Sequence, residues 1–169
     1  GRYRHVIWDW NGTLLDDGFL CVEVLNGMLQ QRALPVIDHD AYRNNFDFPV
    51  VHYYQHVGFD FTKEPFEQIS TQFVTNFIAG FERCPLQPEV ESVLQYWHGK
   101  GVGLSILSAS EQQNLYRQVR HHQLERYFVA LNGIDTIHAP GKTARGLRWI
   151  RELGLPAGEV LLVGDTLHD

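Results

Sequence analysis

The sequence predicts an α/β protein in which a parallel sheet is flanked by helices and interrupted by an all-helical subdomain. Two observations support this fold class. In the second half of the chain, short apolar runs alternate with segments of helical periodicity. A long stretch without strand-like runs separates the first apolar run from the second. The chain has 169 residues, 44% of them apolar, which is enough to bury a substantial core.

Four continuous apolar runs have the length and composition of buried parallel strands. They span residues 4–8, 104–107, 128–131 and 160–163. Helical segments before and between the last three runs predict right-handed crossovers, and therefore a parallel sheet. These helices are expected at 90–97, 111–122 and 143–153.

The segment between the first two strands has helical periodicity throughout. Apolar residues spaced as one helix face predict a helix over 19–32, and a phenylalanine stripe predicts another over 66–81. Short helices are expected over 38–57. We therefore expect a helical cap at 16–85, inserted into a core domain formed by 1–15 and 86–169.

Composition and charge argue against several classes of function. The formal charge is −6 and the basic residues are scattered, so no nucleic-acid or anionic-membrane surface is expected. No apolar stretch approaches the roughly 20 residues of a membrane span. Cys21 and Cys84 are too few for a disulfide framework, which predicts a reducing, cytoplasmic location. Nothing in the sequence indicates an oligomeric state.

Acidic residues follow the first and the last strand. Asp9 comes directly after the first strand and opens the string Asp-Trp-Asn-Gly-Thr-Leu, and Asp165 follows the last strand. Because ligands of parallel α/β sheets bind at the carboxyl ends of the strands, the two acids can converge on one cation. This pattern indicates phosphoryl transfer on an aspartate. The sequence stops at Asp169, inside the second motif, and we expect the core domain to continue beyond it.

Four motifs in a fixed order resemble a known family. They are the segment 9–14, Ser108 after the second strand, Lys142, and Gly164-Asp165 with Asp169. In their order and strand context they resemble the haloacid dehalogenase (HAD) superfamily, and specifically its phosphoglycolate phosphatase-like members with a helical cap. The resemblance implies a Rossmann-like core and hydrolysis of a small phosphorylated metabolite, a phosphoric monoester, with Mg²⁺ as cofactor.

The resemblance also implies a role for each motif residue. Asp9 would be the nucleophile, forming an aspartyl-phosphate. Asp9, Asp165 and the backbone carbonyl of Asn11 would bind Mg²⁺, with Asp169 as a further ligand or as support. Ser108 and Lys142 would position and neutralise the phosphoryl group. Phosphate binding would also involve Gly12, Thr13 and Ala109.

Asn11 departs from the pattern of this superfamily, whose phosphatases usually carry an aspartate there as general acid and base. An amide has no proton to transfer at neutral pH. General acid–base catalysis contributes about 10²- to 10⁴-fold, so turnover should be impaired and phosphoenzyme should accumulate. His168 is a candidate substitute for the missing acid.

Several motif residues also have a simpler structural interpretation. Ser108 could cap the helix that begins near Glu111, Lys142 could be a solvated residue of a first helical turn, and Asp169 could be purely structural. The histidines are scattered and are expected at surface or core positions. For the cap residues His52, Tyr53, Tyr54 and His56, packing is favoured over substrate contact.

Three functions are compatible with these motifs. The first is a Mg²⁺-dependent phosphatase whose cap excludes bulk water. The second is a catalytically impaired phosphate-binding or regulatory protein of the same fold, which Asn11 favours. The third is hydrolysis of a carbon–halogen bond, which needs no metal and is disfavoured by Asp165 and Asp169. The phosphatase accounts for most of the motifs.

Overall fold

The computed structural model describes residues 2–45, 50–135 and 141–164. The described part of the chain forms four strands: β1 (His5–Trp8), β2 (Gly103–Glu111), β3 (Ala130–Ile134) and β4 (Val160–Val163). Its α-helices are α1 (Gly18–Gln31), α2 (His39–Asn45), α3 (Val50–Val57), α4 (Phe66–Gly80), α5 (Val90–Gly99), α6 (Gln112–His121) and α7 (Lys142–Leu153).

The chain divides into two compact units. One contains the four strands with α5, α6 and α7, and its described residues are 2–16, 85–135 and 141–164; we call it the sheet unit. The other, the helical unit, lies within Asp17–Cys84 and contains α1 to α4.

All strand pairs in the sheet unit are parallel, and the spatial order is β3-β2-β1-β4. β1 is central and pairs along its whole length with both neighbours, and all four of its residues are buried. A strand covered on both faces needs a continuous apolar run, which explains why the sequence pattern identified it. The predicted α/β fold class is confirmed.

Two strands differ in extent from the sequence prediction. β2 runs on to Glu111, beyond the predicted end at 107, because its pairing with β3 resumes at Glu111 and Ile134 after a register shift. β3 was expected over 128–131 but begins at Ala130 and ends at Ile134. It continues through Asn132 and Gly133, both buried, although an Asn-Gly pair is typical of turns.

The helical unit buries the apolar faces predicted for its long helices. α1 buries Leu20, Cys21, Val24, Leu25, Met28 and Leu29. In the phenylalanine stripe, Phe77 and Phe81 are buried, whereas Phe66 and Phe73 are half-buried against the ring of Tyr54. Tyr53 and Tyr54 are themselves buried, as packing residues would be, whereas His52 and His56 are exposed.

Arg32 links three parts of the helical unit through its guanidinium group. Its Nε and Nη2 donate to both carboxylate oxygens of Glu64, at 2.6 and 2.9 Å. Nη2 also donates to Gln72 Oε1 at 2.7 Å, and Nη1 donates to the carbonyl of Met28 at 2.8 Å. The guanidinium carbon lies 5.3 Å from the ring centroid of Phe59. Most of the donor capacity of this side chain is therefore satisfied inside the unit.

Within the three described ranges, no helix combines the length and the apolar character needed to cross a membrane.

Candidate active site

The carboxylate of Asp9 lies at the carboxyl end of the central strand. Its backbone N–H donates to the carbonyl of Val163 at 2.9 Å, so Asp9 continues the pairing of β1 with β4. Oδ1 accepts the N–H of Trp10 at 2.8 Å and lies 3.0 Å from Nζ of Lys142. The side chain is 12% exposed. The carboxylate is therefore held in one orientation at the sheet edge where ligands of parallel sheets bind.

The loop after Asp9 turns back on itself at once. The carbonyl of Trp10 accepts the amides of Thr13, Leu14 and Leu15, at 3.3, 3.0 and 3.0 Å. Gly12 has φ +78°, in the left-handed region where a side chain would strain the backbone. This explains why the Asp-Trp-Asn-Gly string needs its glycine. The buried hydroxyl of Thr13 has no hydrogen-bond partner among the described residues.

Two glutamines that the sequence analysis did not single out hold this loop. Gln118, on α6, accepts the indole N–H of the fully buried Trp10 at 2.9 Å. Gln87 donates its side-chain amide to the carbonyl of Gly12 at 3.1 Å and its backbone N–H to the carbonyl of Leu14 at 2.8 Å. Both contacts join residues far apart in the chain, and no local sequence pattern signals them.

Two serines on β2 bind the side chain of Asn11. The hydroxyl of Ser110 donates to Asn11 Oδ1 at 3.1 Å, and that of Ser108 does so more weakly at 3.4 Å. Ser108 is fully buried, and its Oγ also accepts the N–H of Ser110 at 3.0 Å. The amide oxygen of Asn11 therefore faces two hydroxyl donors. Ser110 was missed, although its position two residues after Ser108 on a strand puts both on one face.

Neither structural alternative for Ser108 and Lys142 describes their observed contacts. Glu111, not Ser108, caps α6, because its carboxylate accepts the amides of Gln113 and Asn114, both at 3.0 Å. Lys142 is the first residue of α7, but its side chain is only 23% exposed and its Nζ contacts Asp9.

The structure thus brings two pairs of predicted site residues together: Asp9 with Lys142, and Asn11 with Ser108. Ala109 is exposed on β2 beside Ser108. Asp165, His168 and Asp169 lie outside the described residues.

The described part of the site supplies hard oxygen donors but no complete metal cage. Among the described residues, no three His, Cys, Asp or Glu side chains lie close enough together to hold a metal ion. The Asp9 carboxylate and the Asn11 carbonyl are oxygen ligands of the type that Mg²⁺ prefers. Mg²⁺ usually keeps several waters and binds one or two carboxylates together with substrate phosphate. This donor set fits such an ion.

A family model described as haloacid dehalogenase-like hydrolase matches residues 6–169, nearly the whole chain. The chain belongs to this family. It is 29% identical over 91 residues to a phosphoglycolate phosphatase of Aliivibrio fischeri. That match covers 53% of this chain and only 40% of the relative.

Solved structures of low sequence identity share the fold. A putative phosphoglycolate phosphatase from Lactobacillus plantarum superposes with a TM-score of 0.83 at 14% identity, covering 99% of this chain and 79% of that one. Protein Tyrosine Kinase A of Mycobacterium tuberculosis gives a TM-score of 0.82 at 22% identity, with 99% and 77% covered. At these identities the similarity concerns the fold alone.

Proposed function

We propose that this chain forms the catalytic part of a Mg²⁺-dependent phosphatase that hydrolyses a small phosphorylated metabolite through an aspartyl-phosphate on Asp9. The observation that carries the proposal is the pairing of Asp9 with Lys142 at the carboxyl end of the central strand. A carboxylate held beside an ammonium group at that edge is suited to meet a phosphoryl group.

In the first chemical step, a carboxylate oxygen of Asp9 attacks phosphorus and the bond to the leaving oxygen breaks. The electron pair of that bond leaves with the alkoxide, which takes up a proton. In the second step, water attacks the phosphorus of the mixed anhydride, loses a proton and releases inorganic phosphate, which regenerates the carboxylate. Lys142 offsets negative charge in both steps as a fixed point charge.

Groups in the loop after Asp9 and on β2 would position the phosphate. Ser108 offers a buried hydroxyl beside Asn11, and Gly12, Thr13 and Ala109 are the further residues expected beside the phosphate. The backbone amides of Gly12 and Thr13 already donate to the carbonyls of Leu15 and Trp10. The hydroxyl of Thr13, which has no partner in the described part of the chain, is a further candidate donor. Preorganised donors of this kind stabilise the charge that develops on phosphoryl oxygens.

Mg²⁺ would be held by the Asp9 carboxylate and the Asn11 carbonyl, with Asp165 and Asp169 as the further ligands that the family resemblance implies. When bound, it would supply charge neutralisation between the carboxylate and the incoming phosphate. A cytoplasmic location fits this function, and the two cysteines, both buried, fit a reducing compartment.

Asn11 sets the limit on the rate. Its amide oxygen accepts hydrogen bonds from Ser108 and Ser110, and the amide cannot exchange a proton with a leaving group or with water. The step that needs an activated water should therefore be the slow one. For this reason the second candidate function is a phosphate-binding protein of the same fold that has lost turnover.

Phosphate release from an aryl phosphate, with and without Mg²⁺, tests the proposal. We expect metal-dependent turnover by the wild-type chain, its loss in Asp9→Asn, and its retention in Asp40→Asn, which neutralises an exposed acid of the helical unit. Turnover that survives in Asp9→Asn would refute the proposed nucleophile. Absence of turnover in the wild type, together with activity in Asn11→Asp, would favour the binding protein.

A further inference from the structure

One face of α7 lies against the sheet along its length. Residues 142, 145, 146 and 149 have the spacing i, i+3, i+4 and i+7, which places them on one side of a helix. Each contacts a sheet-unit residue on or beside a strand: Lys142 contacts Asp9, Arg145 donates to Asn132, Gly146 lies against Leu107, and Trp149 donates to Ser105. A Cβ at Gly146 would lie 2.8 Å from Cδ2 of Leu107, so the glycine permits this close approach.

Trp149, at the carboxyl-terminal end of this face, forms a polar cluster with His5 and Ser105, which we call the Ser105 cluster. His5 and Ser105 are buried and Trp149 is half-buried. The indole N–H of Trp149 donates to Oγ of Ser105 at 2.9 Å, and Nε2 of His5 lies 2.8 Å from the same oxygen. The rings of His5 and Trp149 meet edge to face at 6.0 Å between centroids. Ser105 therefore accepts from the indole and can donate its own hydrogen to a neutral imidazole.

Because Ser105 and His5 are buried, their polar groups need hydrogen-bond partners inside the protein. Ser105 is 0% and His5 3% exposed, and burial lowers the pKa of His5, which favours the neutral ring. A Cβ at Gly103, the partner of His5 in the β1–β2 register, would lie 2.6 Å from His5 Nδ1. The glycine thus leaves the space that the imidazole occupies. Because Ser105 is wholly buried within the sheet unit, its pairing with a histidine does not make it a second nucleophile.

A buried polar cluster restrains a helix differently from an apolar contact. Apolar surfaces tolerate small sliding and rotation, whereas each buried donor and acceptor loses its partner when the helix moves. Trp149 lies seven residues from Lys142, about 10 Å along the helix axis at 1.5 Å per residue. A shift of one residue would move Lys142 by about 1.5 Å and rotate it by about 100°.

We propose that the Ser105 cluster is a positioning device that fixes the axial position and rotation of α7, so that Lys142 reaches Asp9. The inference deepens the proposed function, on which its catalytic consequence rests. Trp149, Ser105 and His5 are positioning residues that act on the site through Lys142.

The position of Lys142 can be measured without any assay of activity. The chain contains three lysines, Lys63, Lys100 and Lys142, so lysine-selective isotope labelling gives three resolvable ε-methylene signals in NMR. Asp9→Asn identifies the shift that Lys142 shows when its partner carboxylate is lost. We expect Trp149→Phe, which keeps an aromatic ring but removes the N–H, to move the Lys142 signal toward that value.

Two further variants control this measurement. Ser105→Ala should move the same signal, and it serves if Trp149→Phe does not fold. Val119→Ala, a buried truncation on α6, should destabilise the sheet unit while leaving the Lys142 signal in place. An unmoved Lys142 signal in both cluster variants would overturn the proposal, as would an equal movement in Val119→Ala.

A double-mutant cycle tests the catalytic consequence. Trp149→Phe should lower kcat for phosphate release about 10-fold in the wild-type background, because small misplacement of a catalytic group is costly. In a Lys142→Met background the same change should have almost no effect, since the residue through which it acts is gone. Equal effects in both backgrounds would contradict the proposal. If no variant turns over, the proposed function has failed, and the NMR result still decides whether the cluster positions Lys142.

Discussion

The ammonium nitrogen of Lys142 lies 3.0 Å from Oδ1 of Asp9, although the two residues are near opposite ends of the described chain. Asp9 follows the central strand β1, and Lys142 opens α7, which packs on β2 and β3. The fold therefore places a carboxylate and an ammonium group at the same edge of the sheet. This pairing fixes the orientation of the acid and offsets its charge.

Replacing Lys142 with methionine tests the catalytic side of this contact. We expect Lys142→Met to lower kcat/KM for an aryl phosphate by about 10²-fold or more, as for the loss of a preorganised charge-stabilising group. The matched control is Lys100→Met, because Lys100 lies exposed beside Tyr96 in the same unit. Steady-state kinetics of both variants would measure the effect. Equal activities would show that Lys142 takes no part in phosphoryl transfer.

Changing Asn11 to aspartate should restore the missing acid and base. We expect Asn11→Asp to speed breakdown of the phosphoenzyme by about 10²- to 10⁴-fold, the usual contribution of general acid–base catalysis. In the wild type, phosphoenzyme should build up during turnover, and in the variant it should not. Rapid-quench trapping of both proteins measures this difference. A wild type that turns over without trappable phosphoenzyme would count against a slow second step.

Stability should depend on pH through His5. Burial lowers the pKa of His5 below its ordinary value of 6.5, so the unfolded chain takes up this proton at a higher pH than the native chain does. The free energy of unfolding should therefore fall as pH decreases from about 7.5 to 5.5. In His5→Gln the free energy of unfolding should fall less steeply, because the proton that the imidazole takes up on unfolding is no longer part of the reaction. Urea unfolding at several pH values provides the test, and parallel curves for the two proteins would contradict it.

The hydrogen bonds of Arg32 should stabilise the helical unit. We expect Arg32→Met to lower the free energy of unfolding by about 2 kcal/mol. The carboxylate of Glu64 and the carbonyl of Met28 would lose the hydrogen bonds that Arg32 donates. Arg83→Met, which breaks an exposed ion pair with Glu23, should cost clearly less. The readout is helical circular dichroism rather than tryptophan fluorescence. The four tryptophans all lie in the sheet unit, at positions 8, 10, 97 and 149. Equal losses would show that the extra bonds of Arg32 contribute nothing.

The strands whose bounds were predicted best are those with the simplest composition. β4 has the predicted bounds, and β1 differs from its prediction by one residue, because β4 is an uninterrupted apolar run and β1 is apolar except for His5. β3 was placed two residues early because its last part, Asn132 to Ile134, contains residues typical of turns. The side chain of Asn132 is buried there by its contact with Arg145 on α7. Local pattern does not contain such tertiary contacts.

Some residues of the candidate site could likewise be predicted from the sequence, and others could not. The order of the motifs brought Asp9, Asn11, Ser108 and Lys142 to attention, because each was predicted to follow a strand or to open a helix. Ser110 and Gln87 were missed, since their contacts with Asn11 and Gly12 depend on strand register and on the chain's return from the helical unit. The catalytic roles themselves stay predictions.

The central claim is that Asp9 carries the phosphoryl group during turnover. The most direct test is to acid-quench the chain during reaction with an aryl phosphate and Mg²⁺, and to locate any phosphoryl adduct by peptide mass spectrometry. We expect the adduct on Asp9 in the wild type and none in Asp9→Asn. Turnover with no adduct, or with the adduct on another residue, would contradict the account.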